Sequence, residues 1–208
     1  MATPRSQQIG IWIIAVVLLV GTLGSFLVMV LSNQNQAKDQ AALQNAYNTY
    51  QTSVTAQTKK LSDTYYSTFS QYSNISAAFS ADGIKTVTTT DLKVGDGETL
   101  TSKTAYSSYY IGWNPKGVVF DQSIENGALK APIAGGNLIT GWNEGVVGMK
   151  IGGVREIKIP SDKAYGDTGS GDNIPPNTPI KFVVMVIPKV TDIPMPQILQ
   201  DYYNSQQQ

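Results

Sequence analysis

The stretch from Gly141 to Pro176 constrains this chain most, because its glycines and its proline pair leave few ways to fold it. Its apolar spacing predicts a short amphipathic helix carrying Trp142. A turn at Gly152-Gly153, a strand with alternating apolar residues at Ile157 and Ile159, and a glycine-rich loop should follow. The stretch contains no nucleophile, metal cluster or phosphate loop. It therefore predicts a site that works through apolar shape and a few hydrogen bonds.

The composition excludes several classes of function. The 208 residues carry 15 basic and 15 acidic side chains, so we expect one globular domain with appendages and no nucleic-acid partner. Neither Cys nor His occurs, which excludes disulfides, thiol and histidine catalysis, and the usual zinc, copper and haem ligands. The loop Asp167–Asn173 carries oxygen ligands but lacks the opening and the distal Glu of a calcium loop. We predict no metal and no cofactor.

Residues Ile9–Leu31 form an uncharged, apolar run of 23 residues, and roughly 20 are enough to span a bilayer. We expect an uncleaved anchor rather than a signal peptide, whose apolar region is about 7 to 15 residues and precedes a small-residue cleavage site. Ser32–Asn35 supplies no such site. Arg5 and the amino terminus on one side, against Lys38 and Asp39 on the other, favour a cytoplasmic N terminus. The chain is then a single-pass cell-membrane protein with an extracytoplasmic domain.

The segment from Gln34 to Phe79 is polar and contains neither Pro nor Gly. Its apolar stripe recurs about every 3.6 residues, which predicts a straight amphipathic helix. A partly disordered tether is the alternative, because Ser and Thr are weak helix formers. A helical stripe needs a partner, which could be another copy through residues 35–79, the globular domain or an extended client. The stripe consists of Leu43, Tyr47, Tyr50, Val54, Leu61, Tyr65, Phe69, Tyr72, Ile75 and Phe79.

Beyond Ser80–Gly83 the apolar period changes to two, which predicts a mainly antiparallel sheet with one inserted helix at Thr140–Met149. A short helix at Gln197–Tyr203 follows the sheet. We expect a chain that starts near Asp82 to be soluble and folded. The predicted strands are Lys85–Lys93, Thr99–Ile111, Val118–Phe120, Val154–Ile159 and Ile180–Ile187. The predicted division is a tail (1–8), an anchor (9–31), a helical stalk or linker (32–82), a domain (83–190) and a C-terminal tail (191–208).

Three segments, YYIGWNPKGVVFDQS, LITGWNEGVVGMKIGGVREIKIPSDKAYG and IPPNTPIKFVVMVIPKV, resemble the FKBP-type peptidyl-prolyl isomerases in order and spacing. The resemblance covers roughly Thr86 to Val190. It implies an α+β fold, in which an antiparallel half-barrel wraps on a short helix, with an apolar pocket for a proline ring of a polypeptide client. The catalytic residues it implies are Tyr110, Phe120, Asp121, Tyr165 and Phe182, and the substrate-binding residues are Leu138, Ile139, Trp142 and Ile174.

The resemblance also implies roles for individual groups. Trp142 would form the pocket floor, the Ile139 N–H and the Tyr165 hydroxyl would donate to substrate carbonyls, and Asp121 would lie near the twisting amide. From spacing alone, Trp142 and Phe182 are better explained as ordinary core. Asp121 and Tyr165 could equally be turn residues. The motifs taken together favour the pocket.

A pocket of this kind suits rotation about an Xaa-Pro bond, which needs no acid or base. The barrier is about 18 to 20 kcal/mol because the planar amide is stabilised by resonance. An apolar pocket removes water from the planar carbonyl, and fixed dipoles favour the twisted geometry.

The chain departs from the family pattern at Leu129, where a second aromatic is common, and at the small loop tip Ser170–Asn173. It also has no Arg between Gln122 and Lys130 to pair with Asp121.

We expect a membrane-anchored prolyl isomerase that assists the folding of exported or envelope proteins. The alternatives are a proline-binding or chaperone module with little turnover, and an oligomeric envelope structural protein.

Overall fold

The computed structural model describes residues 34–207, with side chains from Lys38 onward. The predicted anchor at Ile9–Leu31 lies outside the described residues. No helix within residues 34–207 is both long and apolar enough to cross a membrane. The described residues divide into two compact units, one of residues 58–190 and one that joins residues 34–57 with residues 191–207.

The secondary structure confirms the predicted class, an antiparallel sheet with a short inserted helix. The second strand starts later than predicted, at Tyr106, because Thr101 and Thr104 form a hydrogen-bonded turn before it. The elements are α1 (Gln34–Phe69), β1 (Thr88–Lys93), β2 (Tyr106–Trp113), β3 (Val119–Gln122), β4 (Ile124–Glu125), β5 (Ala128–Leu129), β6 (Ile133–Ala134), α2 (Thr140–Val146), β7 (Val154–Ile159), β8 (Ile180–Pro188) and α3 (Gln197–Ser205).

The main sheet has the strand order β1-β7-β8-β2-β3, and β6 pairs with β2. All of its pairings are antiparallel, while β4 and β5 form a separate two-stranded hairpin. Helix α2 packs against β7. The topology places α2 on one face of the sheet, where the predicted pocket requires it.

Every residue of β2 is buried, so both faces of the sheet are covered. Because alternate residues of a strand face opposite sides, the apolar side chains divide into two clusters. The helix-side cluster contains Leu100, Tyr106, Tyr110, Trp142, Val146, Met149, Ile157, Ile159, Ile174, Ile180, Phe182, Val184 and Val186. The outer cluster contains Phe69, Tyr109, Ile111, Trp113, Leu129, Val154, Val183, Met185 and Ile187.

The outer face is covered by the end of α1 and by the segment after it. Phe69 is fully buried, and the Tyr65 and Phe69 rings each lie 6.2 Å from the Tyr109 ring. Further along, Ile75 and Phe79 pack on the same cluster. From Tyr65 onward, therefore, the partner of the predicted stripe is the chain's own sheet.

The predicted helix to Phe79 is too long, because α1 ends at Phe69 and gives way to a 3-10 turn at Ser70–Tyr72. The chain then runs extended along the sheet. Trp113 Nε1 donates to the Ala77 carbonyl at 3.0 Å, and the Phe79 N–H donates to the Pro115 carbonyl at 2.9 Å. These backbone groups would bond within a helix, so tertiary contacts outweigh the helical pattern. The compact unit begins at Thr58, before the sequence-based domain boundary at residue 83.

In the smaller unit, α3 forms where a short helix was predicted. Leu199 is buried, and the Gln57 side chain donates to the Thr191 carbonyl at 2.9 Å. Burial, followed by the neighbouring hydroxyl of Tyr47, raises the pKa of Tyr203. The first part of the α1 stripe thus also has a partner within its own chain.

Candidate functional site

Four aromatic rings meet edge to face in the helix-side cluster, and we call them the aromatic cup: Tyr110, Phe120, Trp142 and Phe182. The Trp142 and Phe182 ring centroids are 5.0 Å apart, and those of Phe120 and Phe182 are 5.5 Å apart. Tyr110 meets Trp142 at 5.6 Å and 82°. This geometry suits the ring quadrupoles. Trp142 and Phe182 are almost fully buried while Phe120 is partly exposed, so Phe120 marks the solvent side of the cup.

Gly112 permits this close ring packing. It lies on β2 opposite Phe182 of β8 and Asp121 of β3. A Cβ atom at this position would collide with the rings of Phe182 and Phe120. A glycine inside a strand therefore has a specific cause here, the approach of two aromatic rings to the backbone.

Hydrogen bonds hold both the Trp142 side chain and the helix α2 that carries it. The Trp142 indole N–H donates to the Tyr106 hydroxyl at 3.1 Å. Burial raises the pKa of Tyr106, and the hydrogen bond from Trp142 opposes that shift. Arg155, which is 8% exposed, donates to the Gly145 and Val147 carbonyls at the end of α2 and to Asp91 of β1. These bonds hold the helix that carries Trp142 against the sheet.

Asp121 lies beside the cup with one face in solvent. Its carboxylate accepts a hydrogen bond from the Tyr110 hydroxyl, and Lys130 Nζ lies 3.7 Å from its Oδ1. Burial, followed by the Asp121 charge and this hydrogen bond, raises the pKa of Tyr110. Burial and the same charge raise the pKa of Tyr165. Both phenols therefore remain protonated donors at neutral pH.

The two predicted donors to substrate carbonyls are free within the described part of the chain. Neither the Ile139 N–H nor the Tyr165 hydroxyl makes a hydrogen bond to residues 34–207. The Asn143 side chain donates to the Leu138 carbonyl at 3.0 Å and to the Gly136 carbonyl at 3.2 Å. Asn143 thus holds the segment that presents the Ile139 N–H.

The glycine-rich loop reaches the cup through Ile174, which is 3% exposed. The Ser170 N–H donates to the Ile174 carbonyl at 2.7 Å. A side chain at Gly169, whose φ is +69°, would collide with that carbonyl. The buried Asn114 side chain donates to the Asn173 carbonyl at 2.8 Å and so ties the loop to the turn after β2.

The structure brings all of the predicted site residues together. In or against the helix-side cluster lie Tyr110, Phe120, Leu138, Ile139, Trp142, Tyr165, Ile174 and Phe182, and Asp121 bonds to Tyr110. The individual roles remain predictions. Leu129 does not line the cup, since it lies in the outer cluster on the other side of the sheet. The Leu129 side chain therefore forms no wall of the cup.

Sequence reasoning missed Tyr106, Asn143, Asn114 and Lys130. The first three act through side-chain hydrogen bonds that leave no periodic signal. Lys130 ends the segment from Gln122 that contains no Arg, and its ammonium group lies beside Asp121. The absence of Arg therefore does not leave the carboxylate without a basic neighbour.

Several known proteins are similar to this chain in sequence. A model of the family described as FKBP-type peptidyl-prolyl cis-trans isomerase matches residues 96–187. An FK506-binding protein of Neisseria meningitidis serogroup A is 37% identical over 98 residues, which are 47% of this chain and 90% of that protein. FK506-binding protein 2 of Yarrowia lipolytica is 38% identical over 82 residues, which are 39% of this chain and 57% of that protein. A peptidyl-prolyl cis-trans isomerase from Pseudomonas syringae pv. tomato, known from a crystal structure, is 30% identical to this chain. The match covers 64% of this chain and 93% of the isomerase chain, with a TM-score of 0.43.

Proposed function

Because the chain belongs to the FKBP-type peptidyl-prolyl cis-trans isomerase family, we propose that it isomerises Xaa-Pro bonds of exported or envelope polypeptides beside a membrane that holds residues 9–31. The observation that carries the proposal is the aromatic cup with the Tyr110–Asp121 pair at its side. The clients are proline-containing chains that fold outside the cytoplasm.

The described groups fit a mechanism of amide twisting. The proline ring enters the cup above Trp142, and the surrounding rings exclude water from the planar carbonyl. The Ile139 N–H and the Tyr165 hydroxyl donate to client carbonyls and hold the chain on both sides of the rotating bond. Asp121, oriented by Tyr110, offers a fixed negative charge near the amide as its nitrogen becomes pyramidal. Groups that interact more strongly with the twisted amide than with the planar one lower the barrier.

A protease-coupled cis/trans assay on Xaa-Pro peptides tests the activity with the full chain. We expect turnover above the uncatalysed rate, which is set by a barrier of about 18 to 20 kcal/mol. Binding of the peptides without any acceleration would support the alternative of a proline-binding or chaperone module. If the chain neither binds the peptides nor accelerates their isomerisation, the remaining alternative is an oligomeric envelope structural protein.

Membrane attachment is tested separately, by carbonate extraction of cells that express the full chain. We expect the full chain to remain with the membrane pellet, because the apolar run of residues 9–31 is long enough to span it. A chain of residues 34–208 is the matched control and should be released. Recovery of the full chain at its uncut mass in the supernatant would contradict the anchor.

The rate should depend little on pH, because no proton is transferred. The chain has no His, and the raised pKa values of Tyr110 and Tyr165 move their deprotonation further above the reference value of about 10. We expect kcat/KM to vary less than about twofold between about pH 6 and pH 9, and to be almost unchanged in heavy water. A bell-shaped profile centred near neutrality, or a large solvent isotope effect, would show that a proton moves in the rate-limiting step.

Self-association through residues 35–79 needs an apolar face that this segment no longer offers in full. The rings of Tyr65, Phe69 and Tyr72 pack on the chain's own outer cluster. The first part of the stripe lies beside α3 in the smaller unit, where Tyr47 neighbours Tyr203, so little of the stripe is left to contact a second copy.

A further inference from the structure

The β4–β5 hairpin borders the aromatic cup next to Asp121. Residues of β3, the hairpin and Lys130 line a surface depression of about 410 Å³ there. The turn of the hairpin is formed by Asn126 and Gly127. Both have positive φ, as a tight two-residue hairpin turn requires. An isolated two-stranded hairpin is marginally stable in water. The position of this hairpin must therefore depend on the contacts at its base and along its side.

The base of the hairpin is bonded to the strand that carries Tyr110. The Lys130 N–H donates to the Ser123 carbonyl at 2.9 Å, and the Ser123 N–H donates to the Tyr110 carbonyl at 2.8 Å. The Tyr110 N–H returns a bond to Ser123 Oγ at 2.9 Å, and Ser123 is 2% exposed. A displacement at the end of β5 is thus transmitted to Tyr110, whose hydroxyl orients Asp121.

The side of the hairpin is bonded to α1. The Leu129 N–H donates to Ser62 Oγ at 2.9 Å, and both residues are buried. Around this bond, Ile124 and Leu129 pack in the outer cluster with Tyr65 and Tyr66. Among the described residues of α1, Ser62 is the only one whose side chain forms a hydrogen bond with the hairpin. Its partner Leu129 is followed at once by Lys130, the cation nearest to Asp121.

We propose that Ser62 is a positioning residue for the isomerase site, acting on Asp121 from the opposite side of the sheet. Its hydroxyl fixes the Leu129 backbone, and this fixes Lys130 on one side of the carboxylate and Ser123 with Tyr110 on the other. The inference rests on the proposed site, since it assigns Ser62 a part in the same reaction. It makes α1, which lies outside the segment matched by the family model, a component of the catalytic domain.

The test is Ser62→Ala in the full chain, with Ser67→Ala as the matched control. Ser67 lies on the same helix and is exposed, so the same change of side chain alters no contact with the hairpin. Ser62→Ala leaves the buried Leu129 N–H without its partner, and only part of that cost reaches the transition state. For Ser62→Ala we expect kcat to fall roughly threefold to tenfold, with KM within about twofold, because Asp121 acts on the twisted amide rather than on proline binding. Rates are taken well below the melting temperature and per folded molecule.

A double-mutant cycle separates positioning from general stability. If Ser62 acts through Asp121, Ser62→Ala should cost much less in an Asp121→Asn background than in the natural chain. Phe120→Ala is measured in parallel. If Phe120→Ala is fully active, the proposed site itself is wrong. If Phe120→Ala is impaired while Ser62→Ala matches Ser67→Ala, or if the losses in the cycle simply add, the positioning role is overturned and the site stands.

Discussion

A chain that begins at Asp82 is expected to lose cooperative folding, although it contains the whole segment that matches the family. The truncation removes the cover of the outer cluster, including Phe69, which is fully buried, and the packed side chains of Tyr65, Ile75 and Phe79. Removing one buried Phe side chain typically costs about 3 to 5 kcal/mol. Domains are stable by only about 5 to 15 kcal/mol in total. The loss of several such contacts therefore exceeds what the domain can tolerate.

The exposed surface adds a second penalty to the truncated chain. Tyr109, Ile111 and Trp113 of β2, with Val183 and Met185 of β8, would form a continuous apolar face in water. Exposed apolar faces of this kind promote association. We expect the truncated chain to be aggregated or to bind hydrophobic dyes, which size-exclusion chromatography and thermal melting would detect.

The matched control is a chain that begins at Thr58, where the compact unit starts. It keeps the end of α1 and the extended segment to Phe79, and we expect it to melt cooperatively and to retain isomerase activity. If the chain from Asp82 melts at the same temperature as the chain from Thr58, the cover is dispensable. The sequence-based expectation of a soluble domain from Asp82 would then hold.

The sheet and the inserted helix could be predicted because their signals are local. Alternating apolar residues specify β7, a continuous apolar run specifies β8, and a short apolar period specifies α2. The second covered face also left a signal, since Tyr109, Ile111 and Trp113 are as apolar as the residues between them, and strands buried on both sides show no alternation. That signal predicts a cover without identifying the segment that provides it.

The end of α1 and the neighbours of Asp121 could not be predicted in the same way. Residues 70–79 continue a helical period, but their backbone is held by Trp113 and Pro115, which are remote in sequence. Lys130 reaches Asp121 only because a two-residue turn folds the chain back. Contacts of this kind depend on tertiary geometry, which periodicity does not encode.

Phe120→Ala is expected to reduce kcat/KM by roughly 10- to 100-fold while leaving the fold intact. The Phe120 ring is the wall of the aromatic cup nearest to solvent, where it packs against Phe182 at 5.5 Å. Burying an aromatic or large aliphatic side chain contributes about 1.5 to 3 kcal/mol, and a client proline loses part of this contact when the ring is absent. Each 1.36 kcal/mol lost from transition-state stabilisation corresponds to about tenfold in rate. Because Phe120 is partly exposed in the free protein, its removal should cost less stability than the roughly 3 to 5 kcal/mol typical of a buried Phe.

Met185→Ala provides the matched control for this wall of the cup. Met185 lies on the same strand as Phe182 but faces the outer cluster, and it is 2% exposed. Its removal should cost about 2 to 5 kcal/mol of stability and leave the kcat/KM of folded molecules nearly unchanged. We therefore expect opposite results from the two variants. Phe120→Ala should lose mainly activity, and Met185→Ala should lose mainly stability. A Phe120→Ala chain whose activity falls only in step with its melting temperature would show that the ring is core rather than part of the site.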